Sequence, residues 1–202
     1  MPWISTVRPV LLEKAIMLFG ERGYNGVTAR DLARAADIAE GSIYNMFKSK
    51  ENLYIAALED VTSRTQDELG QMLLALYAEQ KNQSASHFIG QVARAWYQSI
   101  SREAARFLQQ VMISDQGRQD KARKAIEQVV ATIASALAEK TKGRSAAHAQ
   151  ESAETLILAL FQLKVTLPDG AGPKAEIEKV EAIIMNWLEK VVSMVNGAVR
   201  DA

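Results

Sequence analysis

The stretch from Thr28 to Lys50, TARDLARAADIAEGSIYNMFKSK, constrains this chain more than any other. Apolar residues recur there at helical spacing in two short runs: Leu32, Ala33 and Ala36 share a face of the first, Ile43 and Phe47 a face of the second. Thr28 opens the first run as an N-cap, and Asp31 three residues on completes a near capping box. Asp37 and Ile38 make the turn between the runs, and Ser49 caps a further helix. Ser42, Tyr44, Asn45, Lys48 and Lys50 are left to point outward. Two short helices with an apolar inside and a hydrogen-bonding outside form a helix-turn-helix, a shape that fits a DNA major groove.

Helical periodicity extends along nearly the whole chain, with no convincing alternating strand and no internal repeat, so an all-α fold of nine helices is expected. The first runs from about Arg8 to Arg22, with Pro9 in its first turn and Gly23 as its stop. The second and third are the pair above, the third over roughly Glu40 to Phe47. A long fourth helix runs from Lys50 to about Tyr77, then Ser86 to Ile100, Glu103 to Ile113, about Arg118 to Lys140, about Ala146 to Leu167, and Lys174 to Val199. Pro168-Asp-Gly-Ala-Gly-Pro173 is the clearest loop. Three helices form a head over residues 1–50 and six form a larger body over residues 51–202.

Composition narrows the function classes. With 48% apolar residues in 202, the chain can bury one good core or two small ones. The absence of cysteine excludes disulfides, thiolate zinc sites and cysteine nucleophiles. His87 and His148 cannot build a metal cluster alone, and neither a metal nor any other cofactor is expected. No nucleophile with an adjacent base and no glycine-rich phosphate loop occurs, which argues against an enzyme. The start, MPWISTVRP, has no basic residue ahead of a long apolar run, and no segment reaches ~18 apolar residues, so neither a signal peptide nor a membrane span is expected, and the cytoplasm is the expected location. Lys and Arg balance Asp and Glu at 24 each, yet residues 1–50 hold seven cations against five acids. Phosphate binding depends on where cations sit, and Lys48 and Lys50 flank the outward helix.

The run AIMLFGERGYNGVTARDLARAADIAEGSIYNMFKSKENLYIAAL, from Ala15 to Leu58, resembles the DNA-binding domain of the TetR family of bacterial transcriptional regulators. The matching pieces are the phenylalanine and ERGY near the end of the first helix, the T-x-R-D-L-A opening of the second, and Gly-Ser-Ile-Tyr-x-x-Phe-x-Ser-Lys-x-x-Leu. The resemblance implies a homodimer, a helical C-terminal ligand-binding and dimerisation domain, and repression relieved by a small molecule. Three positions depart from the pattern. Ala39 replaces the polar residue that often caps the recognition helix, Glu40 stands where many members have a cation or amide, and Met46 where an aromatic or histidine is common.

Each candidate DNA contact has its own chemistry. Thr28 offers a hydroxyl and a backbone N–H at a helix start, as a phosphate site or as a cap alone. Arg30 can fork onto guanine or bind phosphate, and Asn45 can pair with adenine N6 and N7. Glu40 can accept from cytosine N4 or serve the positive helix end. Gly41 and Ser42 permit close approach, Tyr44 reaches a phosphate or a thymine methyl, and Lys48 and Lys50 supply charge, Lys50 resembling the family's phosphate-contacting lysine.

In the body, the last two helices are apolar on more than one face. Leu156, Leu160, Leu163, Ile184, Trp187, Leu188 and Val191 are expected at a two-fold four-helix interface, which would pair two recognition helices with a near-palindromic double-stranded operator. Phe88, Trp96, Tyr97, Phe107, Met112 and Phe161 are expected to line a cavity for an apolar or aromatic effector, with His87, Gln109 or Gln110 as polar contacts. A DNA-binding architectural protein without an effector is the competing reading, distinguished by the absence of a cavity in the body.

Overall fold

The computed structural model describes residues 2–78, 85–114, 117, 127, 130, 131, 134, 135, 138, 146–167 and 172–197. Among them every regular element is a helix: α1 (Pro2–Arg22), α2 (Ala29–Ala35), α3 (Glu40–Phe47), α4 (Lys50–Ala78), α5 (Ala85–Ser99), α6 (Arg102–Ser114), α7 (Ala146–Thr166) and α8 (Pro173–Gly197). The helix expected over Arg118–Lys140 lies largely outside the described residues; Glu127, Val130, Ala131, Ala134, Ser135 and Ala138 within it are helical. The loop expected from Pro168 lies outside them too, except that Pro173 opens α8, where its missing N–H costs no helical bond. At the other end, α1 begins at Pro2 rather than near Arg8, so Pro9 sits inside it and has no N–H for the carbonyl four residues earlier.

The chain forms two compact units, Met1–Asp67 with Ile100–Ala125, and Glu68–Ser99 with Ile126–Ala202. The first therefore contains α6 and much of α4 as well as the three head helices expected over residues 1–50. In it α1 packs on α2 and α6, and α2 on α3. Leu11, Ala15, Phe19, Leu32, Ile43, Leu53, Leu58 and Phe107 form a core with no solvent exposure. An apolar stripe recurring every three to four residues on α1 can face two neighbours at once because it is wide. The α1–α6 crossing is tight at Gly20, where a Cβ would stand 3.0 Å from the backbone nitrogen of Phe107 and 3.2 Å from the carbonyl of Glu103.

Four rings join the elements of this unit. Tyr54 meets Phe19 edge-on at 4.9 Å, Phe107 at 5.3 Å and Tyr24 at 5.0 Å between centroids. Such edge-to-face pairs add roughly 0.5–1.5 kcal/mol each beyond the area they bury.

In the second unit α5 packs on α7 and α8, and α7 on α8. Phe88, Val92 and Trp96 of α5, Leu156 and Leu160 of α7, and Val180 and Ile184 of α8 are among its buried apolar residues. Trp187 donates its indole N–H to the carbonyl of Ser152 at 2.8 Å, tying α8 to α7 with its one polar atom satisfied. No helix among the described residues is long and apolar enough to cross a membrane.

Candidate nucleic-acid interface

The helix-turn-helix is closed at its corner by backbone hydrogen bonds. At the end of α2 the N–H of Asp37 donates to the carbonyl of Arg34 and that of Ile38 to the carbonyl of Ala33, the two bonds of a Schellman motif. That motif needs a left-handed residue, and Asp37 takes φ 53°. Aspartate tolerates this better than most residues because its short side chain can bond locally. The turn orients α3, whose Ile43 and Phe47 are buried while Gly41, Tyr44, Asn45 and Lys48, spaced by three or four residues, are exposed together.

At the start of α2 the capping box is complete. The Asp31 N–H donates to Thr28 Oγ1 at 3.1 Å, and the Thr28 N–H donates to Asp31 Oδ2 at 2.9 Å. The Thr28 hydroxyl also donates to Asp31 Oδ2, at 2.6 Å. These bonds from Thr28, side chain first and backbone second, hold the Asp31 carboxyl below the ordinary carboxylate range, helped by Arg22 and Arg34 and opposed by desolvation. Both donors that recommended Thr28 as a phosphate site are thus engaged within the cap.

Arg30, in the first turn of α2, is largely exposed, and its Nε stands 3.8 Å from Glu40 Oε2 at the start of α3. The two side chains span the gap between the helices on the outer surface. Ala39 occupies the N-cap of α3 with no side-chain hydrogen bond, so the recognition helix lacks the cap that α2 has. A Cβ at Gly41 would meet nothing within 4 Å, so this end of α3 is open. Ser42 is half-buried, and Tyr44 remains 46% exposed, its ring not needed by the core. Lys48 closes α3 at φ 70° and reaches back to the Asn45 carbonyl at 3.4 Å.

Lys50 departs from the expectation that it points outward. Its ammonium donates to the carbonyls of Tyr24 at 3.0 Å and Val27 at 2.9 Å, and lies 4.0 Å from the centroid of the Tyr24 ring. The side chain is half-buried and pins the α1–α2 loop, the segment that leads into Thr28, to the start of α4. Tyr24 was not among the expected functional residues; as part of ERGY it was legible in the motif but not in its partnership with a lysine 26 positions away.

The body residues are placed differently from the expectation. Phe88, Trp96, Tyr97 and Phe161 are buried in the second unit, whereas Phe107 and Met112 belong to the first, Phe107 inside its ring cluster. Of the six, Tyr97 lines an open cleft of about 320 Å³ in the second unit. His87 is exposed, and Gln109 and Gln110 are half-buried on α6 in the first unit. Leu156, Leu160, Ile184, Trp187 and Leu188, expected to face a partner, are already at most 9% exposed in one chain. Their area is used by the protomer's own packing, and Leu163 is half-buried. The side chain of Val191 lies outside the described residues. Among the described side chains, the large apolar ones left on the outer surfaces of α7 and α8 are Leu158, Ile177 and Met185.

Comparison with known proteins agrees with this geometry. Residues 11–57 match the family of bacterial regulatory proteins, tetR family. Over 47 residues the chain is 47% identical to the HTH-type transcriptional repressor DhaR of Mycobacterium sp. strain GP1, a match covering 23% of this chain and 24% of that protein. Over 53 residues it is 43% identical to the HTH-type transcriptional repressor KstR2 of Mycolicibacterium smegmatis, covering 26% of each. The match thus spans about a quarter of the length of these curated relatives. Solved structures cover nearly the whole fold. The ketosteroid transcriptional regulator KstR2 of Mycobacterium tuberculosis superposes with a TM-score of 0.68 at 18% identity, over 89% of this chain and 93% of its own. A TetR-family transcriptional regulator from Bordetella parapertussis gives 0.70 at 17%, over 90% and 94%. The segment that presents Arg30 and Tyr44 is thus a domain of the tetR family of bacterial regulatory proteins, and about nine-tenths of the chain shares the fold of these solved regulators.

Proposed function

We propose that the protein is a transcriptional repressor that binds a near-palindromic operator as a homodimer and is released by a small molecule. The observation that carries this reading is the exposed face shared by Gly41, Tyr44, Asn45 and Lys48 on α3, with Arg30 and Glu40 beside it, on the segment that matches the family. In this reading Arg30, Glu40, Ser42 and Asn45 read bases, Tyr44 and Lys48 position the head on phosphates, and Thr28 serves as the cap of α2. Lys50 acts at one remove, by holding the loop that leads into Thr28. A two-fold dimer brings two recognition helices to half-sites about one helical turn apart.

Release requires that the effector bind the DNA-incompetent state more tightly, since a ligand with equal affinity for both states shifts nothing. In the proposal α4, continuous from Lys50 to Ala78, carries the change between body and head.

Selection of bound DNA from a random pool, with and without cell extract, tests the reading. Enrichment of an inverted repeat that extract diminishes is the expected result; recovery of unenriched sequence refutes it. Asn45→Ala should alter preference at one position of the repeat, at a cost of roughly 1–3 kcal/mol there, and leave other positions unchanged.

A further inference from the structure

Between α5, α7 and the start of α8, Arg94, Tyr97, Gln98, Lys164, Glu176 and Ile177 surround the open cleft of about 320 Å³. That volume lies at the small end of those that hold organic ligands. Its floor is mostly apolar, from the Tyr97 ring, Pro173, Ile177 and Val180, and its walls carry two cations and two carboxylates. The charges are arranged unevenly with respect to what they have left to give.

Both carboxylates are committed. Glu181 takes the Arg94 Nη1 on its two oxygens at 2.8 and 2.9 Å. Glu176 accepts from the Tyr97 hydroxyl at 2.7 Å and from the Lys164 ammonium at 3.4 Å through the same oxygen. The cations retain capacity. Arg94 engages Glu181 through Nη1 alone, so among the described residues its Nε–Nη2 edge, the side-on fork that suits a carboxylate, is unspent. Among the described residues Lys164 makes one long hydrogen bond and rests 4.2 Å from the Tyr97 ring centroid, which leaves ammonium protons over. Its side chain is only 14% exposed, so a charge-assisted bond there is less weakened by water than on an open surface.

We propose that this cleft binds a small organic carboxylate, its charged end on Arg94 and Lys164 and its apolar body against Tyr97, Ile177 and Val180. An amine is disfavoured because each acid is already paired with a cation of the cleft, Glu181 with Arg94 and Glu176 with Lys164, and an unfunctionalised hydrocarbon would bury the cations' unspent donors without replacing water. The proposal rests on the effector part of the function above, and it changes the expected chemistry from purely apolar to an apolar body bearing an anion.

Calorimetric titration of the full-length protein without DNA tests it, using benzoate, phenylacetate and hexanoate beside the matching neutral amides. At least one acid should bind saturably and about tenfold or more tighter than its amide, the discrimination expected for charge-assisted hydrogen bonds. Arg94→Gln and Lys164→Gln should each lose about tenfold or more for the acid and little for the amide. Ile177→Asp, at an exposed position that the fold does not need, should weaken acid binding while the ion pairs stay in place. Equal affinity for acid and amide, no saturable binding of any acid, or full affinity in the Arg94 variant overturns the proposal. DNA selection is read separately, so a protein that enriches an inverted repeat but binds no acid refutes the cleft and leaves the DNA-binding reading standing.

Discussion

Replacing Lys50 by methionine separates two roles for a lysine at the start of α4. The ammonium holds two main-chain carbonyls, of Tyr24 and Val27, at 3.0 and 2.9 Å and stands 4.0 Å over a tyrosine ring. Hydrogen bonds involving a charged group contribute roughly 1.5–3 kcal/mol each, and a cation over an aromatic ring roughly 0.5–1 at an exposed site. The site is half-buried, so water recovers part of the carbonyls' bonding, and the methionine stem keeps its contact with the Tyr24 ring. The net loss is then about 2–3 kcal/mol. For a chain of this length that lowers the melting temperature by about 5–10 °C.

DNA binding gives the second readout. A lysine that neutralises one phosphate contributes about 0.9 to the slope of log affinity against log salt, whereas one that positions a loop contributes nothing to it. With Lys50 committed to the Tyr24 and Val27 carbonyls, Lys50→Met should weaken operator binding with the salt slope unchanged, because the loop before Thr28 is no longer held. Thermal unfolding followed by circular dichroism and anisotropy titrations at four salt concentrations supply both numbers. A melting temperature equal to wild type together with a slope reduced by about one would refute the reasoning and return Lys50 to direct phosphate contact.

Three further outcomes follow from the same geometry. Ala39 caps α3 without a side-chain bond, so Ala39→Ser should stabilise the protein by about 1 kcal/mol, read as a higher denaturation midpoint at an unchanged m-value. The folded-state pKa of Asp31 is depressed, so its cap contributes stability that is full above the unfolded carboxylate pKa and is lost as pH falls through the folded one. Asp31→Asn should therefore be less stable than wild type at pH 7, with the difference closing in strong acid; a gap constant with pH would exclude the ionised cap. Leu158→Asp with Met185→Asp should leave a folded 22.2 kDa monomer in sedimentation, and a dimer unaffected by both would place the interface elsewhere.

What the sequence disclosed and what it withheld divide along a physical line. Periodicity and capping are local, and they located the described helices to within a residue or two, apart from the start of α1. The same local rules identified Thr28 with Asp31, and the outward set on α3. They are silent on partners distant along the chain. Lys50 looked outward because helical spacing distinguishes an apolar stripe from its opposite face, yet an ammonium at a helix start can fold back onto carbonyls 23 and 26 positions earlier. Phe107 lies on an apolar stripe of α6 as expected, but a stripe does not say which neighbour it meets, and that neighbour is α1 rather than a body cavity. The apolar breadth of α7 and α8 was read as one face for the core and another for a partner. A helix packed against two others needs a stripe that wide for its own protomer, and α8 meets both α5 and α7. Apolar breadth on a sequence thus counts neighbours without distinguishing those in the same chain from those in another. Only side chains such as Leu158 and Met185, apolar and still exposed after the protomer has packed, carry information about a partner.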